Sequence, residues 1–197
     1  MSGFDKPNLL PYDGIVNYFG RFVDHKIADE YFQKLMATIL WQQDEVVIYG
    51  KRYVTRRKTG WYGDEDYDYA YSGMTRRAKP WTPELLGLKK IAEQRTGEHY
   101  NSCLLNLYHD GSDGMSWHSD NEKMLKENGA IASMSFGANR KFSFKHNTTK
   151  ETVSLMLEHG SLLVMRGEIQ SHWKHALPKS VKVKDPRINL TFRTIVA

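Results

Sequence analysis

The sequence lacks the features that would place the protein outside a reducing compartment or within a membrane. Its 197 residues contain one cysteine, Cys103, so no internal disulfide can form and a reducing compartment is favoured. No apolar run approaches the roughly 20 residues of a membrane span, and the N-terminus MSGFDKPNLLPYDG has no signal-peptide core. We therefore expect a protein of the cytoplasm, or of the nucleus in a eukaryote, with no membrane partner.

Internal repeats, low-complexity segments and long linkers are also missing from the sequence. Hydrophobic residues make up 40% and charged residues 26%, as in ordinary folded proteins rather than disordered ones. The length suits one domain with a sizeable core and is too short for two large ones. We expect a single domain, residues 1–197, that is monomeric.

Two helices and many short strands are predicted. Apolar spacing indicates a helix over 26–41, and Thr82, Pro83 and Gly97 have the positions of an N-cap, a first turn and a C-terminal glycine. Short strands without intervening helices after residue 100 favour an antiparallel sandwich or jelly roll, and hence an α+β, mainly β fold. The predicted strands are 45–54, 67–71, 102–108, 131–136, 141–145, 152–157, 161–165 and 188–196.

Basic residues are concentrated in one part of the first half. The net charge is +5, and five cations fall within residues 51–58, with aromatic residues around them. Basic side chains neutralise phosphates and aromatic rings stack on bases, so this segment is compatible with nucleic-acid binding. A solvated hairpin edge, protected from aggregation by its charges, is the alternative.

A metal site is indicated by the segment Trp117-His118-Ser119-Asp120. In an extended strand, residues two apart point to the same side, so His118 and Asp120 could offer ligands to one ion. An imidazole from His172 or His175 would complete two histidines and one carboxylate, a set that leaves open positions on Fe(II). The same three ligands also suit zinc, which stays open as an alternative.

An anion site is indicated near the C-terminus, in RINLTFR at 187–193. Arg187, Asn189, Thr191 and Arg193 alternate with apolar residues and so share one face of a strand. Two guanidinium groups on one face could hold a dicarboxylate by paired hydrogen bonds. A solvent-facing edge strand with ordinary alternation is the alternative.

With these motifs in place, the sequence resembles the AlkB family of Fe(II)- and 2-oxoglutarate-dependent dioxygenases. The family pattern N-x-Y, H-x-D, distal histidine and R-x-N-x-x-x-R occurs in order as Asn106-Leu107-Tyr108, His118-Ser119-Asp120, His175 and Arg187–Arg193. The resemblance implies that His118, Asp120 and His175 bind iron, with Arg193 close by. It implies that 2-oxoglutarate is bound by Asn106, Tyr108, Arg187, Asn189, Thr191 and Arg193.

The N-terminal half most resembles family members that repair double-stranded DNA. The resemblance implies a double-stranded β-helix (jelly-roll) core at 100–197, preceded at 1–99 by helices and a nucleotide-recognition hairpin lid. It also implies a finger that fills the gap left by a flipped base, an aromatic pair that lines the base pocket, and polar contacts to the base. The residues implied in base binding are Ile48, Tyr49, Gly50, Arg57, Tyr69, Tyr71, Asn121 and Glu122.

The implied function is oxidative demethylation of N-alkylated bases, such as 1-methyladenine and 3-methylcytosine, in DNA repair. Fe(II), O₂ and 2-oxoglutarate would be used, and succinate, CO₂ and formaldehyde released. The expected partner is alkylated DNA. RNA or etheno lesions as substrates, or a non-catalytic metal-bound module that binds nucleic acid, stay open as alternatives.

Overall fold

The structure is a computed structural model and describes residues 6–48, 51–71 and 74–196. The described helices are α1 (His25–Thr38), α2 (Pro83–Thr96) and α3 (Ile169–His172). The described strands are β1 (Ile15–Arg21), β2 (Gln42–Ile48), β3 (Lys51–Gly63), β4 (Asp68–Tyr71), β5 (Met74–Arg77), β6 (Lys79–Pro80), β7 (Ser102–Tyr108), β8 (Met115–His118), β9 (Ile131–Gly137), β10 (Arg140–His146), β11 (Thr152–Leu157), β12 (Ser161–Arg166), β13 (Trp173–Leu177) and β14 (Arg187–Arg193).

The two long helices begin at side-chain caps. The Asp24 carboxylate accepts the backbone N–H of Ile27, and Thr82 caps α2 as predicted, with Gly97 in the left-handed conformation (φ 67°) at its end. Helix α1 ends at Thr38, so the predicted extent to residue 41 is wrong at this end. Ile39 adopts an extended conformation because its side chain turns into the core, where it is 4% exposed.

A large sheet and a small sheet form the body of the protein. The large sheet has the strand order β1-β12-β9-β14-β7-β3-β2, with β6 paired to β3, and the small sheet has the order β11-β10-β13-β8. A separate ribbon joins β4 to β5. Every strand pair except β3–β6 is antiparallel, in agreement with the predicted mainly-β jelly roll.

The two faces of the large sheet pack against different layers. One face meets the helices, with Ile188, Leu190 and Phe192 of β14 in the same buried cluster as Leu35 of α1 and Leu88 of α2. The opposite face meets the small sheet through a second cluster. Members of that cluster are Val16, Ile131, Leu163 and Met165 from the large sheet and Phe144, Leu157 and Trp173 from the small sheet.

Strands from both halves of the chain belong to the large sheet. Strand β1 pairs with β12, and β3 pairs with β7 over Lys58–Gly63, so the sheet continues across residue 100. The single strand predicted at 45–54 is wrong. The chain instead forms the β2–β3 hairpin there, with Glu45 opposite Val54 and Ile48 opposite Lys51.

None of the helices in the described part of the chain combines the length and apolar composition that a transmembrane span requires.

The core position of β14 leads to a stability prediction. Leu190→Ala should lower the free energy of unfolding by about 2–5 kcal/mol, because Leu190 is fully buried and its loss leaves a cavity between sheet and helices. Urea denaturation followed by tryptophan fluorescence measures the change. Leu40→Ala is the matched control: Leu40 is 63% exposed, so the change should stay within about 0.5 kcal/mol. Equal losses in the two variants would contradict the layer assignment.

Candidate metal centre

Two histidines from distant segments meet in the small sheet. His118 ends β8 and lies directly opposite His175 of β13, with ring centroids 4.3 Å apart. Oδ1 of Asp120 lies 3.7 Å from His118 Nε2 and 4.0 Å from His175 Nε2. The structure therefore brings together the three side chains that the sequence singled out, with one ligand atom from each within 4.8 Å of the others.

Asp120 reaches this cluster by a route that the sequence did not predict. Strand β8 ends at His118, so the prediction that both residues lie on one side of the same strand is wrong. Asp120 lies beyond the strand, and its backbone N–H donates to Oε1 of Gln170, at 2.9 Å. Gln170 of α3 was missed because a side-chain contact with a distant backbone amide leaves no local sequence pattern.

The tautomer of His118 and the low pKa of His175 leave a nitrogen lone pair on each ring for a cation. Nδ1 of His118 lies 2.8 Å from the carbonyl oxygen of Ser116, which can only accept, so Nδ1 carries the proton and the lone pair is on Nε2. Burial lowers the pKa of His175 to about 4, although Asp120 opposes this shift, so His175 is neutral at pH 7.

Asp120 is ionised despite its burial. Burial alone would raise the pKa of its carboxyl group, but the Arg193 guanidinium, with Nη2 at 2.9 Å from Oδ2, and the two imidazoles outweigh burial and lower this pKa. The cluster therefore presents nitrogen ligands from two imidazoles and oxygen from one carboxylate, a donor set that suits Fe(II) and also Zn²⁺.

Two further groups of histidine and aspartate are described, and in each the buried histidine already uses the lone pair of Nδ1. His146 Nδ1 accepts from the backbone N–H of Thr149, and His159 Nδ1 accepts from that of Gly137. Nε2 is then the protonated nitrogen of each ring, and it faces Asp13 in His146 and Asp29 in His159. Asp13 lies in hydrogen-bond distance of His146 Nε2 and Asp29 lies 3.2 Å from His159 Nε2, and His172 belongs to the first of these groups rather than to the metal cluster.

Strand β14 lies in the middle of the large sheet. It is flanked by β9 and β7, and all seven of its residues are buried, which excludes the alternative of a solvent-facing edge strand. Arg187 is 2% exposed, and its Nη2 donates to Ser135 Oγ at 2.8 Å and to Asn189 Oδ1 at 2.7 Å.

Arg187 is a buried cation without a carboxylate in salt-bridge distance among the described residues. Its Nε has no hydrogen-bond partner there either. Burial lowers the pKa of Arg187 to about 10, so it still carries its charge at neutral pH. An unpaired buried charge is costly, and an anionic ligand would relieve the cost.

Neighbouring strands extend this polar face. On β7, Tyr108 lies opposite Arg187, with its ring centroid 5.5 Å from the guanidinium carbon, and Asn106 lies opposite Asn189. Asn189 donates to Thr191 Oγ1 at 2.9 Å and accepts from Ser133 on β9. Ser133 and Ser135 were not predicted as site residues, although their alternation with buried apolar residues in IASMSFG was a usable signal.

Arg193 connects the polar face to the metal cluster. One Nη contacts Asp120, as described above, and the other lies 3.7 Å from Glu122 Oε1. A cavity of about 290 Å³ opens beside these groups. Asn121 and Glu122 line this cavity, and Asn121 is exposed, so both candidate base-contacting residues lie next to the cluster.

The other candidate base-binding residues lie in the hairpin and the ribbon. Ile48 belongs to β2, and Tyr69 and Tyr71 belong to β4; their side chains lie outside what the structure describes, as do residues 49–50, Tyr49 and Gly50. Arg57 of β3 is buried, with Nη1 at 3.0 Å from Met115 Sδ, so it packs against β8 rather than standing on the free surface.

Comparisons with known proteins agree with this geometry. A model of the 2OG-Fe(II) oxygenase superfamily matches residues 15–193. The chain is 41% identical over 184 residues to alpha-ketoglutarate-dependent dioxygenase alkB homolog 3 of Bos taurus, covering 88% of this chain and 64% of that relative. It is 39% identical over 180 residues to DNA oxidative demethylase ALKBH2 of Homo sapiens, covering 86% of this chain and 69% of that relative.

The chain thus spans 64% of the length of the bovine relative, and the two kinds of relative match at nearly the same identity. The solved structure of OsALKBH1 has the same fold, with a TM-score of 0.65 at 16% identity over 94% of this chain and 99% of that one. By the superfamily match over most of its length and its identity with these relatives, the chain belongs to the AlkB family of 2OG-Fe(II) oxygenases.

Proposed function

We propose that the protein is a dioxygenase that oxidatively removes alkyl groups from N-alkylated nucleic-acid bases, with lesions of the 1-methyladenine and 3-methylcytosine type as substrates. The observation that carries the proposal is the buried guanidinium of Arg187, which has no carboxylate in salt-bridge distance within the described ranges and shares a strand face with Arg193, which contacts the metal cluster. The names of the relatives, an alpha-ketoglutarate-dependent dioxygenase and a DNA oxidative demethylase, support it.

Fe(II) and 2-oxoglutarate are the cofactor and co-substrate of this family, and the residues fit both. His118, Asp120 and His175 would hold the iron through two imidazole nitrogens and one carboxylate oxygen. The dicarboxylate would bind along the buried polar face, with Arg187 at the distal carboxylate. The residues proposed for 2-oxoglutarate are Asn106, Tyr108, Arg187, Asn189, Thr191 and Arg193.

When bound, the iron and 2-oxoglutarate supply the oxidation by O₂ that hydroxylates the N-linked alkyl carbon, with succinate, CO₂ and formaldehyde as the products. The chain itself orients and insulates the reactants. The Ser116 carbonyl fixes the tautomer of His118, Arg193 keeps Asp120 ionised, and the apolar layer between the sheets limits access of water.

Base recognition is proposed for residues of the hairpin and the ribbon, and for the two residues that directly follow Asp120. Ile48, Tyr49 and Gly50 would fill the gap left by the flipped base, and Arg57 is proposed as the basic residue that accompanies this finger. Aromatic side chains stack on a base and favour a cationic lesion, a role proposed for Tyr69 and Tyr71. Asn121 and Glu122 would contact the base edge from the cavity beside Asp120.

The proposed partner is alkylated DNA, with O₂ as the second substrate. We further propose a monomer that acts in the cytoplasm, or in the nucleus of a eukaryote. Residues 1–197 would form one catalytic domain, in which 1–99 supplies the extension and recognition lid and 100–197 the jelly-roll core.

The proposed function is tested with oligonucleotides that carry one defined lesion. Wild-type protein should remove the methyl group and release formaldehyde only when Fe(II) and 2-oxoglutarate are both present, as measured by mass spectrometry. His118→Ala should abolish this activity and weaken Mn(II) binding, because one of three ligands is lost. His172→Ala is the matched control and should retain both. Wild-type activity on RNA or etheno lesions alone would replace the proposed substrate, and zinc binding without turnover would reject catalysis.

The role of Arg187 is tested by its effect on 2-oxoglutarate. Arg187→Ala should raise the KM for 2-oxoglutarate by on the order of 100-fold, because a charge-assisted pair with a buried carboxylate is lost. Arg187→Lys keeps the charge but not the paired hydrogen bonds, so its KM for 2-oxoglutarate should lie between those of the wild type and Arg187→Ala. Arg21→Ala, at an exposed arginine, is the control. An unchanged KM for 2-oxoglutarate in a folded Arg187 variant would remove this residue from the site.

Gln170 should hold Asp120 in place for the metal. Gln170→Ala removes the acceptor of the Asp120 N–H and should weaken Mn(II) binding by roughly tenfold, as loss of a supporting hydrogen bond does at other metal sites. Gln170→Glu keeps an oxygen acceptor at this position and should recover most of the affinity. Equal Mn(II) affinity in wild type and Gln170→Ala, by titration calorimetry, would show that the loop holds Asp120 without this bond.

A further inference from the structure

The outward face of the small sheet carries lysines and one exposed tryptophan. Side chains alternate along each strand, so Phe144 and His175 point inward while their neighbours in sequence point outward. Lys141 and Lys174 are exposed, and Lys145 is half-buried. We call these three lysines and Trp117 the lysine face.

The charge of this face is uncompensated. The four strands of the small sheet, with the sequences MSWH, RKFSFKH, TVSLML and WKHAL, contain no aspartate or glutamate. Lys145 and Lys174 lie directly opposite each other on β10 and β13, and like charges in this position destabilise a sheet. Among the described residues, no carboxylate forms a salt bridge with any of the three lysines. The lysine face is therefore complementary to a polyanion.

Trp117 adds a flat apolar surface to the charges. Its side chain is 42% exposed on β8, and the Lys145 ammonium lies 5.9 Å from the centre of its ring. An exposed indole beside lysines can stack on a nucleobase while the lysines contact phosphates. An acidic protein would contact the lysines but has no nucleobase to stack on the indole. Trp117 also immediately precedes His118, so this face begins one residue from the metal cluster.

We propose that the lysine face binds the sugar–phosphate backbone of the nucleic-acid strand that flanks the target base, with Trp117 stacked on a neighbouring base. The inference rests on the proposed function and deepens it, because it adds a nucleic-acid contact outside the hairpin, the ribbon and the cavity. Strand β8 links the two positions: Trp117 would hold a flanking nucleotide while the adjacent His118 belongs to the metal cluster.

The charges are tested with the double variant Lys145→Glu/Lys174→Glu. Its affinity for a fluorescent single-stranded oligonucleotide should fall by on the order of tenfold at 0.1 M salt. The slope of log K against log salt should become shallower by about 1.4, as expected for two lost phosphate contacts at about 0.7 each. Lys26→Glu/Lys34→Glu, at two exposed lysines of α1, changes the net charge equally and should bind like wild type. Equal losses in both double variants would overturn the proposal.

The stacking is tested at Trp117. Trp117→Ala should weaken binding by about fivefold or more with little change in the salt slope, and Trp117→Phe should restore most of the affinity. Mn(II) titration of both variants checks that the neighbouring His118 still binds metal. Wild-type affinity in Trp117→Ala would remove the stacking contact from the proposal.

Measuring both DNA binding and demethylation distinguishes a failure of this inference from a failure of the proposed function. In demethylation, Lys145→Glu/Lys174→Glu should raise the KM for the oligonucleotide about tenfold and leave kcat within about twofold, since no metal or 2-oxoglutarate contact changes. If the wild type binds DNA through the lysine face and demethylates nothing, the proposed function fails and the surface stands. If demethylation is normal in the double variant, the surface fails and the function stands. Competition by polyglutamate as strong as that by DNA would reject a nucleic-acid surface.

Discussion

The two-residue alternation of β14 is the constraint on which the site depends. One strand supplies Ile188, Leu190 and Phe192 to the core beneath the helices, and Arg187, Asn189, Thr191 and Arg193 to the space between the sheets. A shift of register by one residue would expose the apolar set to polar neighbours and bury the arginines among leucines. The core and the proposed co-substrate site therefore fix each other, because the packing that stabilises the sheet also sets where the two guanidinium groups point.

The two arginines of this strand are in opposite electrostatic situations. Arg193 has a carboxylate from Asp120 at 2.9 Å, so its charge is balanced inside the protein and also keeps that carboxylate ionised. Arg187 donates hydrogen bonds to Ser135 and Asn189, which are both neutral, and burial already lowers its pKa. A buried ion held by neutral dipoles is a preorganised receptor, since its ligand need not displace an internal salt bridge before it binds. This asymmetry favours an anion at the Arg187 end and a cation at the Asp120 end.

The sequence was informative where structure follows from local alternation and uninformative where it follows from distant contacts. Strands β7 and β11 were predicted with their observed bounds, because each is a short run bounded by turn residues. Strands β1, β8 and β13 were missed: each is held by pairing with a partner far along the chain, and β8 has only four residues. The spacing of His118 and Asp120 indicated a shared ligand site, and the family resemblance selected His175 over His172 as the third ligand. The exit of Asp120 from the strand and its bond to Gln170 could not be predicted, because they depend on α3 packing nearby.

Like β14, the small sheet has two faces of different chemical character, one toward the space between the sheets and one toward the outside. Its inner face presents His118 and His175 to the space between the sheets, beside an apolar cluster. Its outer face carries lysines that nothing within the described protein neutralises, although an opposed pair such as Lys145 and Lys174 costs stability. A bound polyanion would offset this cost, and the proposed substrate strand would contact the outer face while one of its bases reaches the inner cluster. A polyanionic strand with one base turned inward meets both requirements, which is why the charge pattern and the metal cluster favour the same class of substrate.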